Sequence, residues 1–359
     1  MTLSTRSRAD RIAKGFRHAA THFVALVLLG HATQVPGQEL QVGIIDFYGL
    51  RQVSESEARG ALTVMEGDTI AVDVSAPPPF AKESERRLMA LTGVVSARVL
   101  VNCCDAGRLV VYVGIEEPGR PALRFRAPPR GNIRLPDDVV QAGEDFVHSF
   151  LQAILRGDSG EDHSKGHALA NDPATRAVQE RFISYAARNM KRLRDVLRRS
   201  SDAEHRALAA VVLGYAADKR AIIGDLVYGM SDPEEDVRNY AMRALGVIVQ
   251  FAEQSPALRI RVPSQPFVDL LTSPSFSDRN KALFALLQLS VSRDAPLIAS
   301  LRARALESLI EMARWKSEGH AFAAFWLLGR LGGLSEEGIQ EAWDRRDREA
   351  VIDAALKGP

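Results

Sequence analysis

The feature that most constrains this 359-residue chain is that its second half repeats itself. The run from Arg206 to Gly214 aligns with the run from Arg238 to Gly246: the leading Arg, a central Ala and the closing Leu-Gly coincide. Arg279 to Leu286 repeats the Arg and the Ala, and Ala324 to Gly329 repeats the closing part. The anchor alanines Ala209, Ala241, Ala282 and Ala324 are spaced by 32, 41 and 42 residues. Start signals precede these units. Ser201 with Glu204 and Asp232 with Glu235 read as capping boxes, Ser277 and Ser317 as plain caps, and Pro233 as a first helical residue. Further helices are expected at 177–197, 219–228, 266–271 and 296–315, with 335–356 completing the last pair in shorter pieces. One helix pair cannot bury its apolar face alone, so a period of about 40 residues implies pairs stacked on one another.

The segment 226–246 carries the repeat most clearly. An apolar first helix leads to Asp232-Pro233, then Val237-Arg238, the small Ala241, and Ala244-Leu245-Gly246. It resembles the HEAT consensus of the PBS-lyase HEAT-like type, and Ala282, Ala285 and Leu286 extend the resemblance. What the resemblance implies is an armadillo/HEAT-type α-solenoid over 175–357, with a concave surface suited to protein contact.

Ahead of it, 40–117 reads as a compact α+β module. Val42 to Tyr48 is β-branched and aromatic, Ser54 and Glu57 form a capping box, and Gly67 ends the helix they open. Pro77-Pro78-Pro79 lead to a second helix at 82–91. Two β-patterned runs, 94–103 and 108–116, flank Cys104-Asp105-Ala106-Gly107, a hairpin signal. This order of strand, helix, helix, strand, strand resembles the POTRA domain, on Ile45, Gly49, Val53-Ser54, Leu62, Gly67, Leu91, Gly93-Val94, Val99, Leu109, Val111 and Glu116. The resemblance implies protein contact through an exposed strand edge. There is one copy and no β-barrel pattern after it. The two cysteines, Cys103 and Cys104, are adjacent. Cα atoms about 3.8 Å apart and opposed side chains on a strand favour two separate thiols over a disulfide.

Residues 1–37 look like an address. Five basic residues and Asp10 give a net charge of +4, ahead of an apolar run that includes Phe23, Val24, Leu26, Val27, Leu28 and Leu29. That is a secretory signal pattern, too short to reach the ~20 residues of a bilayer span. Export to the periplasm or cell envelope is expected, with no transmembrane segment in the mature chain. Residues 118–135 form a Pro/Arg-rich linker, expected to lie extended on the surface. Pro136-Asp137-Asp138 open a helix over 136–157, and 158–174 reads as a flexible polar loop. That loop carries Glu161, Asp162, His163 and His167, but no helical period to hold them as metal ligands.

The charge balance is even, 46 Lys+Arg against 45 Asp+Glu, so nothing pulls the chain as a whole toward nucleic acid. Arg188, Lys191, Arg192, Arg194, Arg198 and Arg199 make a basic helix face, which with the linker arginines offers weak contact to an anionic membrane surface. Trp315, Phe322, Phe325 and Trp326 have helical spacing and read as core. Gly-x-Ser-x-Gly, His-Glu-x-x-His, phosphate-loop and Gly-x-Gly-x-x-Gly patterns are all missing from the sequence. The expectation is therefore an exported, non-enzymatic scaffold that binds a protein partner of unknown identity and carries no cofactor, metal or catalytic residue. A membrane-surface adaptor is the alternative. A HEAT-like lyase-type enzyme drawing on Cys103, Cys104, His163 or His167 is a more distant one.

Overall fold

The computed structural model describes residues 38–72, 78–119 and 123–358; the stretch read as an export signal lies outside them. An α+β module leads into an armadillo/HEAT-type α-solenoid. The module runs β1 (Gln38–Tyr48), α1 (Glu55–Ala61), β2 (Thr69–Val72), α2 (Pro79–Leu88), β3 (Ser96–Asp105) and β4 (Arg108–Glu116). Its sheet has the order β2-β1-β4-β3, with β1 parallel to β4 and the other pairs antiparallel. Ser54 closes the anticipated capping box: its Oγ accepts from Glu57 N at 3.2 Å and its N–H donates to Glu57 Oε2 at 2.9 Å. β2 was absent from the expected order. It arises because Gln38–Gln41 run past the end of β4, and the short strand at 69–72 meets backbone groups that would otherwise be unpaired.

The hairpin between β3 and β4 turns at Ala106 and Gly107, with φ of 47° and 77°, the left-handed pair that a tight two-residue turn requires. Cys103 and Cys104 are joined as a vicinal disulfide, not held as separate thiols. The expectation assumed a trans peptide, and the peptide between them is cis, with Cα atoms 3.0 Å apart.

One face of the sheet packs Val42, Ile45, Val99, Leu109, Val111 and Val113 against Ala58, Leu62, Ala81 and Leu88. The other face, through Tyr48, Val110 and Tyr112, belongs to the core of the solenoid. Every residue of β4 from 109 to 115 is therefore buried. The module is built into the stack.

The helical part comprises α3 (Asp137–Leu155), then the pairs α4 (Pro173–Arg199) with α5 (Ala203–Leu213), α6 (Arg220–Gly229) with α7 (Glu235–Gln254), α8 (Gln265–Leu270) with α9 (Phe276–Leu289), α10 (Ala295–Ala313) with α11 (Glu318–Leu331), and α12 (Glu336–Asp344) with α13 (Arg348–Lys357). The second helices stack successively, α5 on α7 on α9 on α11 on α13. All four anchor alanines are fully buried, as the close approach of neighbouring helices demands. Several start signals act differently from expectation. Asp202 in place of Ser201 caps α5, and Ser275 in place of Ser277 caps α9. Ser317 sits at the N-cap of α11, but its side chain makes no capping hydrogen bond. α7 begins at Glu235, which leaves Pro233 outside the helix and Asp232 free for another role.

The 158–174 stretch is folded, contrary to the flexible loop expected. It forms a ribbon of β5 (Glu161–Asp162) and β6 (Leu169–Ala170) that packs on α4 and is tied to α7 by the pairs Glu161–Arg243 and His163–Gln250. Its polar groups find partners from afar: Gln179 accepts from Ala170 N at 2.6 Å, and His163 Nδ1 pairs with Gln250 Oε1 at 2.7 Å. Those partners lie on other elements, so no local period announces the order.

Candidate interaction surface

The repeated arginines build a ladder across the stack. Each lies three residues before an anchor alanine, and each guanidinium does the same two things. It takes the carbonyl six residues earlier, at Ser200, Asp232 or Ser273, over 2.6 to 2.9 Å. It then takes a carboxylate from the following pair. Arg206 holds Asp232, Arg238 holds Asp278 and Arg279 holds Glu311, each at 2.9 Å. Arg206, Arg238 and Arg279 are almost completely buried. Bidentate guanidinium–carboxylate contacts suit this work, since the planar fork fixes geometry as well as charge. Burial pushes the Asp278 carboxyl up against the pull of Arg238, so the pair holds because both partners are present. At the fourth unit the equivalent position is Ala321, and the ladder stops.

The chain's own N-terminal parts cover the outer side of this ladder. Residues 123–135 run extended over the turns as a strap. Arg126 donates through its backbone N–H to Ser231 O at 2.8 Å and reaches Asp232 at 3.3 Å. The Phe125 ring lies 3.9 Å from the Arg238 guanidinium, and the Tyr48 ring lies 4.4 Å from that of Arg279. The expected surface linker is thus extended but pinned. Tyr48 Oη donates to Pro274 O at 2.9 Å, and Lys316 binds Asp46 through its N–H and Ile45 O through Nζ, both at 2.9 Å. Tyr112 stacks on Phe276 at 3.9 Å, while its hydroxyl meets His320 Nδ1 at 2.6 Å. Trp315 joins this interface instead of the C-terminal aromatic group, where Phe322, Phe325 and Trp326 gather with Trp343.

These contacts bear on strand addition. The outward N–H of Val99 on edge strand β3 is taken by Glu85 at 2.9 Å, and Ile45 O on β1 by Lys316. Part of edge strand β3, and of β1 where it runs beyond β2, is therefore spent on side chains of the same chain.

A second polar cluster lies where the β5–β6 ribbon meets α5 and α7. Burial pushes the Glu161 carboxyl up, but the Arg243 and His163 charges win and hold it at about 2. Burial lowers Lys281 to about 7 and Lys219 to about 8. Burial, with Lys219 at 3.3 Å, brings His167 down to about 4. His167 Nε2 is buried without a partner, and His167 lines a cavity of about 30 Å³ with Tyr215, Tyr240 and Arg243. That volume suits an ordered water.

The signature residues sit mostly in the seam. Val237, Ala241, Leu245, Ala282, Ala285 and Leu286 are buried between helices. Ala244 abuts Gly214, and Gly246 faces open space. Asp232 and Arg238 are rungs of the ladder. The sequence alignment exposed the repeating Arg but not its carboxylate partners, which arrive from the next pair at unequal spacings. Among the described residues no group of three or more His, Cys, Asp or Glu could hold a metal ion, and no helix is long and apolar enough to cross a membrane.

No family model matches the sequence, and no curated protein matches it. Among solved structures, the chain is similar to a designed armadillo repeat protein in complex with the peptide (KR)4, at 16% identity and a TM-score of 0.33, covering 52% of this chain and 95% of that one. It is also similar to a second designed armadillo repeat protein, at 16% identity and a TM-score of 0.32, covering 52% and 96%.

Proposed function

We propose that the chain is a non-enzymatic protein-binding scaffold of the cell envelope. Its contact body is the helical stack, with the sheet module as a fixed part of that body. The observation that carries this reading is the ladder Arg206–Asp232, Arg238–Asp278, Arg279–Glu311. It spends the stack's buried charges on holding repeats in register, which makes a rigid frame and leaves the helix surfaces for contact. The basic and apolar pattern of 1–37 supports export. Most of the groups an enzyme would draw on have partners: Cys103 and Cys104 each other, His163 Gln250 and Glu161, and His167 Lys219 at Nδ1. Docking through a POTRA-like strand edge is left with what Glu85 and Lys316 do not cover.

Photo-crosslinkers placed at exposed positions of α4 and α10 in the full-length protein test the scaffold, and mass spectrometry of the mature N-terminus after fractionation tests export. Recurrent capture of the same protein, dependent on position, is expected. A cytoplasmic protein retaining Met1, or crosslinks scattered without preference, would overturn the reading.

A further inference from the structure

The strap and the basic helix α4, far apart in sequence, are zipped into one surface. Gly131 N–H donates to Arg199 O at 2.8 Å, Ser201 N–H donates to Gly131 O at 2.8 Å, and Arg192 Nε donates to Arg134 O at 2.7 Å. A Cβ on Gly131 would collide with the Arg199 carbonyl, so a glycine is needed for this approach. The acids along the seam are already engaged. Asp225 holds Arg194 at 2.7 Å and Arg198 at 2.8 Å, Asp202 faces Arg134 at 3.3 Å, and Asp195 faces Lys191 at 3.0 Å and Arg199 at 3.8 Å. Among the described residues, Arg124, Arg130, Arg188 and Arg192 stand in no direct ion pair, Arg192 acting on Asp195 only through its charge, and all four are exposed.

We infer that this joint surface binds an extended acidic segment of a partner protein. The inference rests on the scaffold reading and names the chemistry of the partner. Arg192 and Arg199 lie two turns apart on one face of α4, 7 residues that at ~1.5 Å per residue make a stripe of roughly 10 Å, and Arg188 precedes them across a break in the helical backbone at Asn189. That matches about three residues of extended chain at ~3.3 Å each, with Arg188 and the strap arginines on either side. Arginine dominates the surface, and its fork takes carboxylates bidentately, where lysine acts as a point charge. A lipid surface fits less well. Helices that lie on membranes pair their basic face with apolar side chains for insertion. The exposed large hydrophobics here, Met65, Met89, Val95, Leu258, Val291 and Leu356, all lie off the strap and α4.

The test uses the full-length protein, a fluorescent ten-residue polyglutamate peptide, and vesicles of phosphatidylglycerol with phosphatidylcholine. The parent binds the peptide with an affinity that falls steeply with salt. The triple variant Arg130→Ala/Arg188→Ala/Arg192→Ala binds at least tenfold more weakly with an unchanged circular dichroism spectrum. The corresponding triple lysine variant recovers only part of the loss. Arg345→Ala/Arg346→Ala, at the far end of the stack, binds like the parent. Failure of the parent to bind the peptide, or equal loss in the Arg345/Arg346 control, overturns the inference. Vesicle binding that the triple alanine variant abolishes, without peptide binding, assigns the surface to lipid instead. Retained crosslink capture in the triple variant would leave the scaffold standing while removing this surface from it.

Discussion

Arg238 on α7 and Asp278 on α9 meet at 2.9 Å, both buried, and so tie one helix pair to the next. Ser273 Oγ adds a donor to the same carboxylate at 2.7 Å. Desolvating two charges is repaid only when both are present, so the pair is worth more in its breaking than in its making. Arg238→Met is expected to lower the unfolding free energy by about 3–5 kcal/mol, because it strands Asp278. The double variant Arg238→Met/Asp278→Leu should recover part of that loss. Urea titration of the three proteins checks this, and single-variant losses below about 1 kcal/mol would contradict the ladder.

Gly114 is where β4 passes close against the Pro274 backbone. A Cβ there would strike the Pro274 carbonyl oxygen and lie 2.6 Å from the Tyr48 hydroxyl. Gly114→Val should push the sheet off α9, expose Tyr48 and Tyr112, and make the module cleavable at protease concentrations that leave the parent intact. A variant as resistant as the parent would mean that the docking tolerates a gap.

Tyr112 separates two contributions at the same interface. Tyr112→Phe keeps the ring on Phe276 and removes the hydroxyl from the buried His320, an expected cost of about 1–3 kcal/mol. Tyr112→Ala removes the ring as well and should cost about 3–5 kcal/mol. Thermal melts that rank the two equally would place the stability in the hydrogen bond alone.

His167 predicts an acid sensitivity. Its folded value of about 4, lowered by burial and then by Lys219, lies under the ordinary 6.5, so the unfolded chain takes up the proton first. The stability it contributes is whole above pH 6.5 and is lost as pH falls toward 4. Asp236 works the other way: burial raises it to about 7, so acid stabilises the fold through that group. The measurement must therefore be differential. Between pH 7 and pH 4.5, His167→Gln should lose less stability than the parent, by on the order of 1–2 kcal/mol. Equal losses would show that His167 does not carry the effect.

How much was legible depended on how local the cause was. Ser54 with Glu57 named its capping box because both partners lie within one turn. Asp232 with Glu235 looked equally good and was wrong, since Arg206 takes the Asp232 carboxylate from 26 residues away. β4 was expected only as one arm of a hairpin, although Leu109 to Ile115 is an unbroken run of apolar or small residues. Such a run signals a strand covered on both faces, and the solenoid is the second cover.

From sequence alone came the helix pairs, their Ala/Leu seams, the arginine of the first three repeats and the β-hairpin, because periodicity and turn chemistry act within a few residues. Tertiary structure alone decided that the sheet is buried in the stack, that the strap lies along the ladder, that 158–174 is ordered, and that two basic stretches form one surface. Each of those depends on partners tens to hundreds of residues apart, whose meeting is set by which faces remain to be covered once the helices have stacked.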